Sequence, residues 1–329
     1  VATLGGAALL LAAMTTAAEP PPIIDVHLHS GSNATFLPEG PPYVICADPF
    51  IFAPIPPDKR RKTVPSVGDL YECQGEVLTS PATDQDLMNR TLAVMDRHNV
   101  TGVVSDWPLE RLAKWRRARP ERIIPAVLIY KGGPSPDEVR RLFEQGEIAV
   151  LGEIAVQYGG MAPNDPFLDP YWALAEELDM PAAIHIGMGT PGASYLGVTP
   201  DYRAALADPL PLEEVLLRHP RLRLYVMHAA WPFADRMMLL MFQHPQLYVD
   251  TGMISNSLTR KEFHRYLEIL VDAGFHKRIL FGSDSVQWPE FIVESIEAIE
   301  TAGFLAPEQK RDIFYNNAVR FLRLGEKSD

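Results

Sequence analysis

From Ile23 onward, apolar runs of strand length alternate with stretches whose apolar residues recur every three or four positions. The runs are IIDVHLH (23–29), TGVVSDW (101–107), IIPAVLIY (123–130), IAVLGEIAVQ (148–157), PAAIHIGM (181–188), LRLYVMHAA (222–230), LYVDTGM (247–253) and RILFGSD (278–284). Most are rich in Val, Ile and Leu, as parallel strands buried on both faces tend to be. Between them, QDLMNRTLAVMDRH (85–98), PDEVRRLFEQG (136–146), DPYWALAEELD (169–179) and LTRKEFHRYLEILVDAG (258–274) carry helical spacing. Asp, Ser or Thr precedes several of these and Gly follows others, which are start and stop signals. PEQKRDIFYNNAVRFLRL closes the chain and reads as a docked terminal helix.

Eight strands alternating with helices within about 300 residues predict a single α/β domain over 19–329, a closed (β/α)₈ TIM barrel. An open doubly wound sheet is the alternative, and the polar residues decide between them. His27, His29, Glu153, His185, His228 and Asp284 fall near the C-terminal ends of their runs. An open sheet would scatter them along an edge; a barrel gathers them at one mouth, where such folds place their chemistry.

Two connections are long. Residues 30–83 carry PEGPPY, FAPIPPDKRRK and both cysteines, and residues 187–211 carry GMGTPGASYLGVTPDYR. Long loops without secondary structure serve as lids or binding surfaces, and both connections fall on the active face. The cluster Lys59-Arg60-Arg61-Lys62 would greet an anionic substrate or form a solvated loop tip. At the other extreme, residues 1–18 are small and apolar through Ala13 and end in Thr16-Ala17-Ala18 before Glu19. The apolar part is too short to span a bilayer, so no stable membrane insertion is expected. The small-residue site predicts the remnant of a cleaved signal peptide and a periplasmic or secreted protein. The location is cytoplasmic if the segment is only a disordered tail. An oxidising compartment would permit Cys46 and Cys73 to pair, although their spacing does not decide it.

Composition narrows the function classes. Hydrophobic residues at 47% and charged residues at 22% exclude a disordered chain. Thirty prolines in 329 residues are nearly twice the usual share and must sit in loops, in keeping with the long connections. Two cysteines are too few for a disulfide scaffold or a four-cysteine zinc site. A net charge of −12 argues against binding nucleic acid through its phosphates. The expected partner is a small-molecule substrate, and apolar positions on exposed helices would suit a homodimer.

His27 and His29 lie one residue apart on a strand, so both side chains point to one face, the barrel interior. Asp25 shares that face one step deeper, as an orienting group or part of a buried network. Glu153, His185 and His228 are lone ionisable residues in apolar runs, and Asp284 ends the last strand. A single buried histidine is more often a core residue than a ligand. Four histidines and two carboxylates at matching strand ends are better explained by a divalent metal. Imidazole and carboxylate suit Zn²⁺, with Mn²⁺, Fe²⁺ or Ni²⁺ bound by the same donors. Trp107, Tyr130, Tyr158 and Trp231 lie at strand ends and would wall an apolar pocket. Lys131 and Arg203 are candidates to meet a substrate carboxylate.

In IIDVHLH, the Glu of LGEIAV, the His of AAIHIG, the His of YVMHAAWP and the Asp of ILFGSDS, the chain resembles the amidohydrolase superfamily, its amidohydrolase-2 type in particular, over about residues 23–324. The ordered set is specific; no single piece is. The resemblance implies that His27, His29 and Asp284 bind a first metal. His185 and His228 then face a second metal or act on substrate. Binuclear relatives bridge their ions with a carboxylate from the fourth strand, the place of Glu153. Decarboxylating relatives hold one metal and use the sixth-strand His, here His228, as acid and base. The expected activity is hydrolysis of a small ester, lactone or amide by metal-activated water, with Asp284 as general base and then acid. The alternatives are a one-metal decarboxylase of an aromatic or unsaturated acid and a metal-binding barrel without catalysis.

Overall fold

The computed structural model describes residues 20–32, 40–46, 73, 75–195 and 199–325. In chain order its strands are β1 (Ile23–His29), β2 (Val44–Cys46), β3 (Val77–Thr79), β4 (Val100–Asp106), β5 (Ile123–Ile129), β6 (Val150–Ile154), β7 (Ala182–His185), β8 (Leu224–Met227), β9 (Leu247–Asp250) and β10 (Ile279–Leu280). The helices are α1 (Asp84–His98), α2 (Glu110–Ala118), α3 (Pro136–Glu144), α4 (Asp169–Glu177), α5 (Glu213–Arg218), α6 (Ala234–Gln243), α7 (Ile254–Ser257), α8 (Arg260–Asp272), α9 (Glu290–Glu300), α10 (Pro307–Arg311) and α11 (Asn317–Leu322). Each of the eight predicted runs overlaps one strand of a single parallel sheet, ordered β1-β4-β5-β6-β7-β8-β9-β10, with β4 starting one residue before its run. Its edges meet: the Val26 amide donates to the Phe281 carbonyl at 2.9 Å, and the Asp284 amide donates to the His27 carbonyl at 2.9 Å. The chain is therefore a (β/α)₈ barrel. The regular part of the last strand is shorter than its apolar run, because residues 281–285 bond singly across to β1 instead of continuing a ladder.

Local chemistry explains the helix boundaries. Thr83, Ser135 and Thr259 cap α1, α3 and α8 by accepting from the amides of Asp86, Glu138 and Glu262. Pro136 at the first position of α3 gives up an amide that has no intrahelical acceptor. The terminal stretch is helical from Pro307 to Leu322 through a π turn at Asp312–Asn316.

The barrel holds two apolar layers. Between sheet and helices pack residues such as Val104, Val127, Leu151, Ile184, Val226, Trp172 and Phe263. Inside, Ile24, Val26, Val103, Ala126, Val150, Ala183, Tyr225 and Leu280 meet Ala318 and Phe321 of α11, which seals the base. Val26 packs in this inner layer although it is the neighbour of His27, a departure from simple alternation. The cause is a register shift between Asp25 and Leu28. Asp25 instead serves a buried network, its Oδ1 accepting from the amides of His27 at 3.0 Å and Ser283 at 3.1 Å.

The described parts of the long connections hold regular structure. Residues 30–83 contain the antiparallel strand pair β2–β3, and Cys46 is joined to Cys73 by a disulfide with Cα atoms 5.1 Å apart. The 187–211 connection carries short 3₁₀ turns at Ala193–Tyr195, Ala204–Ala207 and Leu210–Leu212. Residues 1–18 and the Lys59–Lys62 cluster lie outside the described residues. No described helix is long and apolar enough to cross a membrane.

Candidate metal centre

All six predicted site residues meet at the C-terminal mouth. Asp284 Oδ1 stands 3.2 Å from Nε2 of both His27 and His29. Glu153 Oε2 is 3.3 Å from His29 Nε2, and its Oε1 is 2.7 Å from His185 Nδ1. His228 Nε2 lies 2.9 Å from the same His185 nitrogen. Three overlapping trios place their donor atoms within 4.8 Å of one another: His27/His29/Glu153, His27/His228/Asp284 and Glu153/His185/His228. Glu153 is thus the carboxylate shared between the β1 side and the β7–β8 side of the cluster.

The backbone works to aim these groups. His228, Ala229 and Ala230 follow β8 in the left-handed region with φ of 60°, 46° and 54°, and Asp284 has φ 55°. Each such residue costs on the order of 1–2 kcal/mol, and the cost recurs where function demands a tight turn. Asp250, at the end of β9, steadies the first of these turns: its Oδ1 accepts from the His228 amide at 2.8 Å and the Gly252 amide at 2.9 Å. Gly252 has to be glycine, since a Cβ there would stand 2.4 Å from His27 Nδ1.

The hydrogen bonds also select tautomers. Asp250 Oδ2 takes the Nδ1 proton of His27 at 3.0 Å, the Gly252 carbonyl takes that of His228 at 3.0 Å, and the Ser105 hydroxyl pairs with His29 Nδ1 at 3.0 Å. Nε2 of His27 and of His29 thus faces Asp284 and the centre, and His228 Nε2 faces His185 Nδ1; carboxylate and carbonyl partners on Nδ1 are the arrangement usual for metal-binding histidines. Asp250 and Ser105 went unmarked in the sequence. Asp250, like Glu153 and Asp284, is a lone carboxylate in an apolar run.

Charge follows geometry. Burial alone would raise Glu153 and Asp284. For Glu153 the hydrogen bond from His185 and the surrounding imidazoles overcome it, and for Asp284 the charges and bonds of His27, His29 and His228 do so. Both carboxylates end below the usual range. Burial opposes protonation of His27, but Asp284 and Asp250 raise its pKa to about 10. Burial, then the neighbouring His185, push His228 down to about 4. Burial raises the Asp25 carboxyl to about 7.

These donors fit a divalent cation. Among the described residues, Nε2 of His27 and of His185 are buried without a hydrogen-bond partner. Buried polar atoms are seldom left so. His27 Nε2 lies close to Asp284 without hydrogen-bond alignment, as expected of donors aimed at a common centre. Of the predicted wall, Tyr158 packs on the His185 ring at 4.7 Å. Trp231 is half-buried, with its Nε1 donating to Glu262, and Tyr130 is exposed. The two substrate-carboxylate candidates are not drawn into the cluster: Lys131 is exposed, and Arg203 Nη1 donates to the carbonyls of Pro200 and Tyr202.

Similarity to solved structures agrees with the architecture. An uncharacterized TIM-barrel protein from Bordetella bronchiseptica is 18% identical and superposes with a TM-score of 0.62, covering 92% of this chain and 99% of that one. A probable 2-pyrone-4,6-dicarboxylic acid hydrolase from Acinetobacter baumannii, with citric acid bound, is 14% identical, with a TM-score of 0.56 over 92% and 99%. A 2,6-dihydroxybenzoate decarboxylase from Rhizobium is 16% identical, with a TM-score of 0.53 over 94% and 100%. At such identities the likeness shows the fold. No curated protein sequence matches. The amidohydrolase family model matches residues 24–324, from the strand that bears the histidine pair to the helix that seals the base, and the chain belongs to the amidohydrolase family.

Proposed function

We propose that this protein is a metal-dependent hydrolase of a small ester, lactone or amide. The observation that carries this reading is Glu153, whose two oxygens reach His29 on one side and His185 on the other. A carboxylate so placed would suit two neighbouring cations, where His27, His29 and Asp284 would hold one and His185 and His228 the other. The donor set favours Zn²⁺, with Mn²⁺ as the next candidate. When bound, such a cation brings the pKa of water to about 7 and polarises a carbonyl oxygen.

The chain's own groups supply the rest. Asp284 is held ionised by its imidazole neighbours, so it can accept a proton from the attacking water. The water oxygen adds to the carbonyl carbon, the bond to the leaving oxygen or nitrogen breaks, and that atom takes the proton Asp284 carried. His228, with its pKa near 4, is neutral at pH 7, so it acts as a ligand or hydrogen-bonding group and holds no spare proton. Tyr158, packed on His185, walls the substrate side.

The test is turnover of the zinc- or manganese-loaded protein against a panel of lactones, esters and amides, alongside aromatic acids, with metal counted by elemental analysis. Two metals per chain and hydrolysis without carbon dioxide are the expected result. One metal and carbon dioxide released from an aromatic or unsaturated acid would replace this reading with the decarboxylase.

A further inference from the structure

The strand pair in the first long connection leans on the turn that carries Asp284. Strands β2 and β3 have three residues each, and two paired strands of that size do not stand alone in water. Three things hold it. Tyr43 and Ser80 exchange bonds at one end: the Tyr43 amide donates to Ser80 Oγ at 2.9 Å, and the Ser80 amide donates to the Tyr43 carbonyl at 2.8 Å. The disulfide closes the other end, tying Cys46, paired with Val77 in the ladder, to Cys73. Tyr43, Ile45 and Cys46 are buried with Trp288 and Phe291 in an apolar cluster of their own, separate from the barrel core.

Trp288 is four residues beyond Asp284. The Ser285 hydroxyl donates to the Trp288 carbonyl at 2.9 Å. On its other side the same turn is bound to β1, where the Asp284 amide donates to the His27 carbonyl and the His29 amide to the Ser285 carbonyl at 3.3 Å. The segment from Ser283 to Trp288 is thus gripped between the metal-ligand strand and the β2–β3 pair, and Cys46, only 3% exposed, is part of the grip.

We propose that the β2–β3 pair is a clamp on the Asp284 turn, set by the redox state of its Cys46–Cys73 disulfide, with Trp288 as the positioning residue through which it acts. Reduction takes a dithiol. Its thiolate attacks Sγ of Cys73, the exposed partner, the Cys46–Cys73 bond breaks, and Cys46 leaves and takes a proton. The second thiol of the reductant then displaces Cys73, which is protonated in turn. The dithiol becomes a disulfide, and two electrons and two protons end on the protein. The freed strand pair loses the closure that kept Cys46 and Ile45 against Trp288, and the turn loses its outer wall.

The inference rests on the proposed role of Asp284 only for its effect on turnover, so the test carries a second readout that needs no substrate. The metal-loaded protein is reduced with dithiothreitol. Hydrogen exchange over residues 283–288, kcat and metal content are then followed, and the disulfide is restored with oxidised glutathione. Exchange over that segment is expected to quicken at least tenfold and kcat to fall at least threefold at unchanged metal content, both recovering on reoxidation. The double variant Cys46→Ser/Cys73→Ser should sit permanently at the reduced values and ignore dithiothreitol. Trp288→Ala should resemble the reduced protein, and Trp288→Phe should regain most of the loss. Unchanged exchange after complete reduction overturns the clamp, and so does an equal response of the cysteine-free variant, which would trace the effect to the metal. A failed hydrolase assay leaves the exchange result to decide the clamp by itself.

Discussion

At the base of the barrel, Ile24, Val26, Val150, Ala183, Tyr225 and Leu280 close on Ala318 and Phe321, and the Tyr225 hydroxyl is satisfied by the Val26 carbonyl at 2.7 Å. At the mouth of the same strands, a few residues further along, His27, His29, Glu153, His185, His228 and Asp250 are buried as well. The base gains stability from every atom it removes from water. The mouth removes ionisable groups from water, a cost that only mutual pairing or a cation offsets. One end supplies the stability that the other spends on chemistry, as is common where a site needs groups that a stable core would exclude. If so, changes at the two ends should separate activity from stability.

The largest effect is expected from Asp284→Asn. Turnover should fall by about 10²–10⁴, the usual reach of a general acid or base, while elemental analysis finds much of the metal still bound. Near wild-type rates would remove Asp284 from proton transfer. Phe321→Ala should do the opposite, lowering stability by about 3–5 kcal/mol in denaturant titrations and leaving turnover per folded molecule unchanged. A matching loss of turnover would mean that the two ends are not separable. Asp250→Asn, which disturbs the partner that orients His27, should weaken metal affinity by about 10–100-fold in competition with a chelator; an unaltered affinity would show that His27 is oriented by other contacts.

The smallest effect is a pH dependence that only the mouth should show. His27 holds a proton up to about pH 10 in the metal-free site. An incoming cation has to displace that proton, so affinity rises with pH and falls as the solution is acidified, by about tenfold per unit for one proton released. Proton release during metal titration measures it directly. Affinity that stays level between about pH 6 and 8 would break the link between His27 and the ion.

Much of the mouth was legible because each candidate ligand is an ionisable residue set in a short, mostly apolar run, and such runs mark buried strands. His27, His29, Glu153, His185, His228 and Asp284 all lie together as expected from that pattern. Asp250 carried the pattern and was passed over. Ser105 carried none, because a serine in a strand has no charge to make its burial conspicuous. Asp25 lies in a buried network as one of its two expected roles, and the register shift that follows it in β1 leaves no trace in the order of amino acids. The strand pair β2–β3 escaped for a related reason: three-residue strands are too short for a period to emerge.

The order of residues along the chain determined the elements, their parallel arrangement and the set of groups able to hold a cation, because strand length, burial and side-chain chemistry are local properties of the amino acids. The tertiary structure alone decided which atoms of those groups face one another, which partner each imidazole Nδ1 meets and that Cys46 meets Cys73. Those outcomes depend on contacts between residues as far apart as His27 and Asp250, whose approach is set by barrel closure and by left-handed turns that local sequence does not announce.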